Sequence, residues 1–497
     1  MSIFQQQADE FLSHPFLLLL ISLFLAWMFK KFVYKHHSAR KLPPSPPKLP
    51  VIGNLHQLSE LTHRSIQSLG RKHGPIMLLH FGNKPVIVVQ SADAANEIIK
   101  KHDLIFSDKP FSKTTRLLLY NLKDVIISPY GEYWRKLKSI CVLQLLSSKR
   151  VQSIKFIREE ETELLLKTVE SSCCSSVNLS ELFDSHSNNV ICRAAFGRRY
   201  SEGETGKRFL MLLREIFQLM VAMDIGEFVP WLSWISRVNG FDNRVLKVAK
   251  EVDDFLELVV QEHLSDAGDE NRDNFVDILL AASIDRDGIK AIILDMLAGG
   301  TDTTSVTLEW AMTELLRHPG VLTNLQTEIR GVLKGRKNIT DDDLEKMQYL
   351  KAVIKETLRL HPPVPLLGRV AREDVRVMGY EIKAKTLVLT NVWGIGRDPT
   401  SWDEPDNFNP DRFLNNSSVD FKGLDFKFIP FGYGRRGCPG IALAIASIEL
   451  LLANLVHMFE WELPEGMKCI DLDVMEQPGV TIHRKHPLLA VPTPYLL

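Results

Sequence analysis

The chain is poor in cysteine. Its six cysteines (Cys141, Cys173, Cys174, Cys192, Cys438 and Cys469) are few for 497 residues, and none is spaced as C-x-x-C. That usage fits a reducing compartment and excludes a zinc cluster or a disulfide framework. A dominant charge is missing as well. Sixty basic side chains face 61 acidic ones, so no whole-chain field draws in nucleic acid, and any electrostatic partner site must be a local patch. Beyond residue 51 there is no internal repeat and no second linker; the Ser/Cys-rich run at 171–176 reads as a surface connection. Also missing is the regular alternation of strand and helix that builds a doubly wound sheet.

What is present begins with a long apolar run. Residues 16–29, FLLLLISLFLAWMF, carry no charge, and with Phe11 and Leu12 they approach the ~20 residues that span a bilayer as a helix. Asp9 and Glu10 precede the run and no small-residue cleavage site follows it, which favours a retained anchor over a signal peptide. Lys30, Lys31, Lys35, Arg40 and Lys41 follow it, so the positive-inside rule places the remaining chain in the cytosol. The sequons at Asn178, Asn338, Asn415 and Asn416 are then expected to stay unglycosylated. Five prolines between Pro43 and Pro50 favour a stiff, extended hinge. The expected organisation is a luminal tail and anchor (1–29), a basic, Pro-rich hinge (30–50) and one catalytic domain (51–497).

Apolar periodicity predicts helices over 150–169, 207–223, 243–264, 289–316, 319–333, 350–360 and 441–458. Strand-like runs are short and peripheral: IMLLHFG, PVIVVQ, LVLTNVW and LLAVPTP. The fold class is mainly α with a small β component. With 45% apolar residues, such a chain can bury a large core.

The stretch 428–444, FIPFGYGRRGCPGIALA, supports two chemistries. Gly432, Gly434 and Gly437 spell G-x-G-x-x-G, the dinucleotide-loop pattern, and Glu460 or Glu462 could serve as its acidic residue. Against that, Pro430 interrupts the supposed strand, and no further helix-and-strand unit follows the helix. The alternative centres on Cys438. A thiolate is a strong ligand for heme iron, and its electron donation favours O–O cleavage. Flanking glycines let backbone N–H groups turn toward the sulfur, and the start of the next helix adds a positive dipole end. Arg436 can pair with a heme propionate.

Phe431-x-x-Gly434-x-Arg436-x-Cys438-x-Gly440 resembles the heme-binding signature of the cytochrome P450 monooxygenases. Other marks of that family follow along the chain. E-x-x-R occurs at Glu132, Glu314, Glu356 and Glu373, but only Glu356 and Arg359 lie on an apolar helix that stops at His361-Pro362-Pro363. The resemblance implies that Arg412, in Pro410-Asp411-Arg412-Phe413, locks this pair into a structural network behind the heme. In AGGTDTT, residues 298–304, Gly299 and Gly300 leave room beside the helix, and a polar pair at mid-helix must be hydrogen-bonded. Thr303 can bond the carbonyl of Gly299, four residues back. The family's acid–alcohol proton relay then falls on Asp302 and Thr303.

Trp134, Lys138 and Arg369 match the family's remaining propionate contacts, with two departures. Lys138 stands where an arginine is common, and Gly368 replaces the usual proline before Arg369. The resemblance spans nearly the whole chain and is closest in detail to the plant A-type microsomal branch. It implies heme b ligated by Cys438 and O2 as co-substrate. Electrons are expected from NADPH through a membrane-bound NADPH–cytochrome P450 reductase, and the location is the endoplasmic reticulum membrane as a single-pass protein. A basic patch at Lys136, Lys138, Lys427 and Arg435 is a candidate docking face for that reductase. Phe111, Leu117, Met220, Ala298, Val364, Leu366 and Val480 are the expected walls of a pocket for a small lipophilic terpenoid, phenylpropanoid or alkaloid. An oxygen-independent isomerase and a non-enzymatic heme carrier or sensor are the alternatives, and neither needs the relay.

Overall fold

A computed structural model describes residues 19, 22, 41–199, 203–222, 225–265, 274–414, 419–421, 425–464 and 466–495. Apart from Leu19 and Ser22, which are helical, the expected anchor and the basic stretch after it lie outside the described residues. The described part of the Pro-rich segment, from residue 41, forms no helix and is tied to the body. The carbonyl of Pro44 accepts the Leu78 N–H at 2.8 Å, and that of Pro47 accepts the side-chain amides of Asn54 and Gln57 at 3.2 and 3.0 Å.

The helices that shape the site are α1 (Glu132–Ile140), α2 (Lys155–Ser171), α3 (Leu179–Phe196), α4 (Gly203–Val221), α5 (Phe241–Ser265), α6 (Arg286–Arg317), α7 (Pro319–Leu333), α8 (Gln348–Leu360) and α9 (Ile441–Met458). Every predicted helix is present, and α7 and α9 match their predicted ends. The predicted 150–169 helix is divided: a short helix, Ser148–Ser153, ends at Ile154 before α2 begins. Among the described residues α9 is long and apolar enough to cross a membrane, but it lies mostly buried in the core.

α6 organises the molecule. At 32 residues and ~1.5 Å per residue it runs the depth of the domain. Its first half, Ile292 to Ala298, packs with α1, α3, α4 and α5 in one apolar cluster that includes Leu137, Phe196, Phe209 and Leu256. Its last turns, Leu308 to Leu316, join a second cluster with α7, α8 and α9 that includes Ile329, Val353, Leu451 and Leu455. Between the two clusters lies the Gly/Thr stretch 299–307, with little apolar bulk to fill space. That gap in the packing holds the cavity described below.

The strand component is small. β1 (Ile76–Phe81), β2 (Lys84–Val89), β3 (Leu366–Val370) and β4 (Leu387–Asn391) form a sheet in the order β1-β2-β4-β3. β1 and β2 are an antiparallel hairpin, β2 and β4 run parallel, and β4 and β3 are antiparallel with Gly368 opposite Leu389. A Cβ at Gly368 would lie 2.8 Å from Cγ of Pro110, so proximity to that proline favours the missing side chain there. A separate short hairpin pairs Glu476–Gln477 with His483–Arg484, and its turn reaches back to α6.

Candidate functional site

The loop before α9 wraps a sulfur. Gly432 and Gly434 both have positive φ (67° and 68°), the left-handed region in which glycine is least strained. At Gly434 a Cβ would also fall 2.5 Å from Oδ1 of Asp103. The turn closes through Gly437 N–H to the Gly434 carbonyl (2.9 Å) and Cys438 N–H to the Phe431 carbonyl (3.0 Å). Gly440 N–H then points back at Cys438 Sγ, 3.3 Å away. The G-x-G-x-x-G pattern is the by-product of a cysteine cradle, and the glycines serve that turn.

Cys438 is exposed to an internal cavity yet lies deep in the protein. Burial pushes its thiol upward, while the Gly440 N–H and the charge of Lys138 favour the thiolate. The cavity measures about 460 Å³ and is lined largely by apolar side chains. Around it the structure gathers Trp134, Lys138, Phe431, Arg436, Cys438 and Gly440 on one side and Ala298, Gly299, Gly300 and Thr303 of α6 on another. Met220, Val364, Leu366 and Val480 complete the predicted walls. A second cleft, about 560 Å³ under Arg150, Arg193 and Arg198, holds none of the predicted site residues.

Two predicted wall residues are elsewhere. Phe111 is 47% exposed with the Arg116 guanidinium over its ring, and Leu117 is 39% exposed. Both belong to the segment around the short helix Lys113–Leu118, which buries Thr114, Thr115 and Leu118 and turns Leu117 outward. The predicted basic docking patch is also dispersed. Lys138 points inward to the Gly437 carbonyl (2.6 Å), Lys136 donates to the Ser283 carbonyl, and Arg435 and Lys427 pair with Asp103 and Asp425.

Cations crowd one end of the cavity. Lys109, Lys138 and Arg436 line it, and Arg369 is buried beside them. Burial first, then the proximity of Arg369, Arg436 and Lys138, pulls the Lys109 amine well below the usual lysine range. Burial and Arg436 depress Arg369 in the same way, and its Nη1 has no hydrogen-bond partner. Arg436 lies 4.2 Å over the Trp134 ring and donates to the carbonyls of Ser107 (2.6 Å) and Ser128. Asp295 is the one carboxylate among the lining residues, and it accepts from the Val125 N–H. Such a cluster is short of negative charge. A planar cofactor with two carboxylates and an iron centre for Cys438 supplies what these residues lack, so the cavity fits heme.

On α6 the Thr303 hydroxyl donates to the Gly299 carbonyl at 2.7 Å, as expected. Nothing lies within 4 Å of a Cβ built on Gly299, whereas one on Gly300 would meet Ile191 of α3 at 2.5 Å. The first glycine leaves space beside the helix and the second lets α3 close in. Asp302 is turned to the C-terminal hairpin: Oδ2 accepts from the Thr481 hydroxyl, and Oδ1 lies 2.9 Å from His483 Nε2.

Behind the cavity, Glu356 and Arg359 are almost wholly buried and joined twice, at 2.6 and 2.7 Å. Arg412 Nε reaches Glu356 at 3.0 Å, and the Asn409 N–H reaches it at 2.8 Å. Arg359 donates onward to the carbonyls of Gly396, Pro405 and Asn407, so one side chain ties α8 to a long loop. Glu314, of a competing E-x-x-R, is also buried, but its carboxylate is shared between Arg317, His318 and His361.

Sequence reasoning overlooked Lys109, Thr481 and the α3 residues His186 and Ser187, which also line the cavity, and His483, which lies behind it against Asp302. Lys109 gives no signal in a loop sequence. Thr481 adjoins the predicted Val480 and could have been reached by the same step.

The sequence model of the cytochrome P450 family matches residues 43–491. "Cytochrome P450 736A117" of Prunus mume is 52% identical over 98% of each chain, and "Tabersonine/lochnericine 19-hydroxylase" of Catharanthus roseus is 46% identical over 96% of this chain and 98% of its own. Among solved structures, a zebrafish cytochrome P450 with abiraterone superposes with a TM-score of 0.75 at 24% identity, covering 88% of this chain and all of that one. The fold and the cysteine cradle define a heme-thiolate protein. The chain belongs to the cytochrome P450 family, whose members are monooxygenases that hold heme by a cysteine thiolate and draw electrons from a redox partner.

Proposed function

We propose that this protein is a membrane-anchored monooxygenase that inserts one atom of O2 into a small lipophilic specialised metabolite, with electrons from NADPH–cytochrome P450 reductase. The observation that carries this reading is the sharing of one apolar cavity by Cys438 and the notched α6 turn at Gly299 and Thr303. Heme bound there supplies the oxygen-activating chemistry. Cys438 is its ligand, and Lys109, Lys138, Arg369 and Arg436 with Trp134 compensate its propionates. Phe431 and Gly440 shape the cradle around the sulfur.

Met220, Ala298, Val364, Leu366 and Val480 hold the substrate by apolar contact and exclude water from the reacting bond. Asp302 and Thr303 handle the protons that oxygen cleavage consumes. Glu356, Arg359 and Arg412 keep the loop ahead of the cysteine in place. Residues 1–29 form the anchor in the endoplasmic reticulum membrane, 30–50 the hinge and 51–497 the cytosolic catalytic domain. Two relatives, "Norfluorocurarine oxidase" of Strychnos and "Tabersonine/lochnericine 19-hydroxylase", carry substrate names that favour an alkaloid-sized skeleton.

The test is a panel of alkaloids, terpenoids and phenylpropanoids offered to the heme-loaded protein with reductase. One class should shift the heme from low to high spin, accelerate NADPH consumption and yield a product labelled from 18O2. A heme-loaded protein that turns over none of the three classes would contradict the substrate assignment, and unlabelled product would contradict monooxygenation.

A further inference from the structure

The hairpin Glu476–Gln477/His483–Arg484 does more than close the cavity. Its turn places Val480 and Thr481 in the cavity wall, and one residue past Ile482 the chain presents His483 to α6. Both oxygens of Asp302 are engaged by this hairpin, by the Thr481 hydroxyl at Oδ2 and by His483 Nε2 at Oδ1 (2.9 Å). A carboxylate only accepts, so Nε2 carries a proton. Among the described residues Asp302 does not line the cavity, whereas Thr481 does. The His483 side chain is 31% exposed and that of Asp302 16%. Solvent, imidazole, carboxylate, hydroxyl and cavity thus lie in series without a gap.

The other hydroxyl near the cavity is placed differently. Thr303 spends its proton on the Gly299 carbonyl and makes no hydrogen bond to Asp302 among those described. The direct cavity-side neighbour of the acid is Thr481, from a turn 179 residues away in sequence.

We propose that His483 is the proton inlet of this enzyme and Thr481 its cavity-side outlet, with Asp302 passing the proton between them. This rests on the reading of Asp302 as the relay acid. Imidazolium at His483 gives its Nε2 proton to Asp302 Oδ1. The carboxylic acid, turning its O–H toward Thr481, protonates Oγ1, and the hydroxyl's own proton leaves to an acceptor in the cavity. Asp302 returns to carboxylate and His483 takes a fresh proton from water, so each cycle moves one proton and leaves the chain unchanged. A hydroxyl that donates to Asp302 at rest must rotate once per transfer.

The charge around His483 suits the role. Burial disfavours its cationic form, but the bond to and charge of Asp302, with Glu309 on the same helix and Asp184 on α3, outweigh this and raise the imidazole above its ordinary value. The inlet therefore keeps its proton to a higher pH than an ordinary histidine does.

The experiment uses the full chain, heme-loaded in lipid nanodiscs with reductase, as wild type, His483→Gln, Thr481→Val and Asp302→Asn. Glutamine keeps an N–H for Asp302 but cannot titrate, so a merely structural fastening survives the change. Hydrogen–deuterium exchange at the His483 ring carbon, read by mass spectrometry without turnover, should give a pKa above the ordinary histidine value in wild type and a lower one in Asp302→Asn. In turnover, His483→Gln should lose ~10-fold or more in rate together with one limb of the pH profile. That loss is smaller than the ~10²–10⁴-fold of a positioned proton donor because water replaces part of the path. Thr481→Val should raise the solvent isotope effect and the share of NADPH lost to peroxide. If Asp302→Asn is impaired while His483→Gln and Thr481→Val match wild type in rate, pH profile and peroxide yield, the inlet is overturned and the relay acid stands. If Asp302→Asn itself behaves as wild type, both fall.

Discussion

Replacing Glu356 by glutamine perturbs a buried carboxylate that accepts four hydrogen bonds. Its Oε1 accepts three donors, from Arg359, Arg412 and the Asn409 N–H, and Oε2 accepts one more from Arg359 Nε at 2.6 Å. Glutamine can keep its carbonyl toward the three, but its NH2 then faces Arg359 Nε, donor against donor, and the guanidinium is left buried without its counter-charge. Breaking a buried pair in this way costs about 3–5 kcal/mol. An unfolding entropy near 2.1 cal/mol/K per residue makes one degree worth roughly 1 kcal/mol for a chain of this size, so Tm should fall by about 3–5 °C. Arg412→Ala removes one of the four donors and leaves Arg359 seated, for about 1.5–3 kcal/mol. The double variant should lose less than the sum, because both changes remove one shared contact. Urea melts followed in parallel by tryptophan fluorescence and by the reduced, carbon-monoxide-bound heme band give all three values. A Glu356→Gln loss below about 1 kcal/mol, or strict additivity with Arg412→Ala, would refute the view that this network is one cooperative unit.

The other predictions are local. Burial raises the carboxyl values of Asp295 and Asp124, the charge of Asp124 adds to the rise at Asp295, and each keeps one oxygen without a partner. A raised folded value means the native state holds its proton longer, so this pair removes stability as pH climbs from the ordinary aspartate value to the raised one. Asp295→Asn should flatten that loss in Tm measured from pH 4 to pH 8; an unchanged slope would show that the pair does not titrate there. Gly434→Ala meets both a positive φ and Asp103, and should lower the yield of heme-loaded protein, with a backbone cost of about 1–3 kcal/mol by thermal melts. Leu117→Ala, on the outer surface, should leave substrate spin shifts unchanged, whereas Val364→Phe, in the cavity wall, should abolish or redirect them.

Much of the fold was legible because its long helices carry a strong period and clear stops. α8 ends at His361-Pro362-Pro363, and α9 follows a glycine and proline cluster. Among the helices that sequence reading missed, α1 included, the long α3 fails for a physical reason: it buries His186, Ser187, Asn188 and Asn189 in succession, so no apolar stripe betrays it. β3 was hidden because it is short and centred on Gly368. At the site, the cysteine cradle and the Glu356–Arg359–Arg412 network were legible because each is a compact motif with fixed spacing. Lys109 and His483 were not, since their meaning comes from neighbours distant in the sequence, Arg369 and Arg436 for the first and Asp302 for the second. Phe111 and Leu117 show the converse: apolar residues on or just before a short helix carry no record of which face turns inward.

The central claim is that Cys438 in its glycine cradle ligates heme as a thiolate. The direct measurement is the absorption spectrum of the dithionite-reduced, carbon-monoxide-bound protein, wild type beside Cys438→Ser. The account predicts a red-shifted Soret band in wild type that is absent in Cys438→Ser. The same band in both proteins, or heme without that band in wild type, would contradict it.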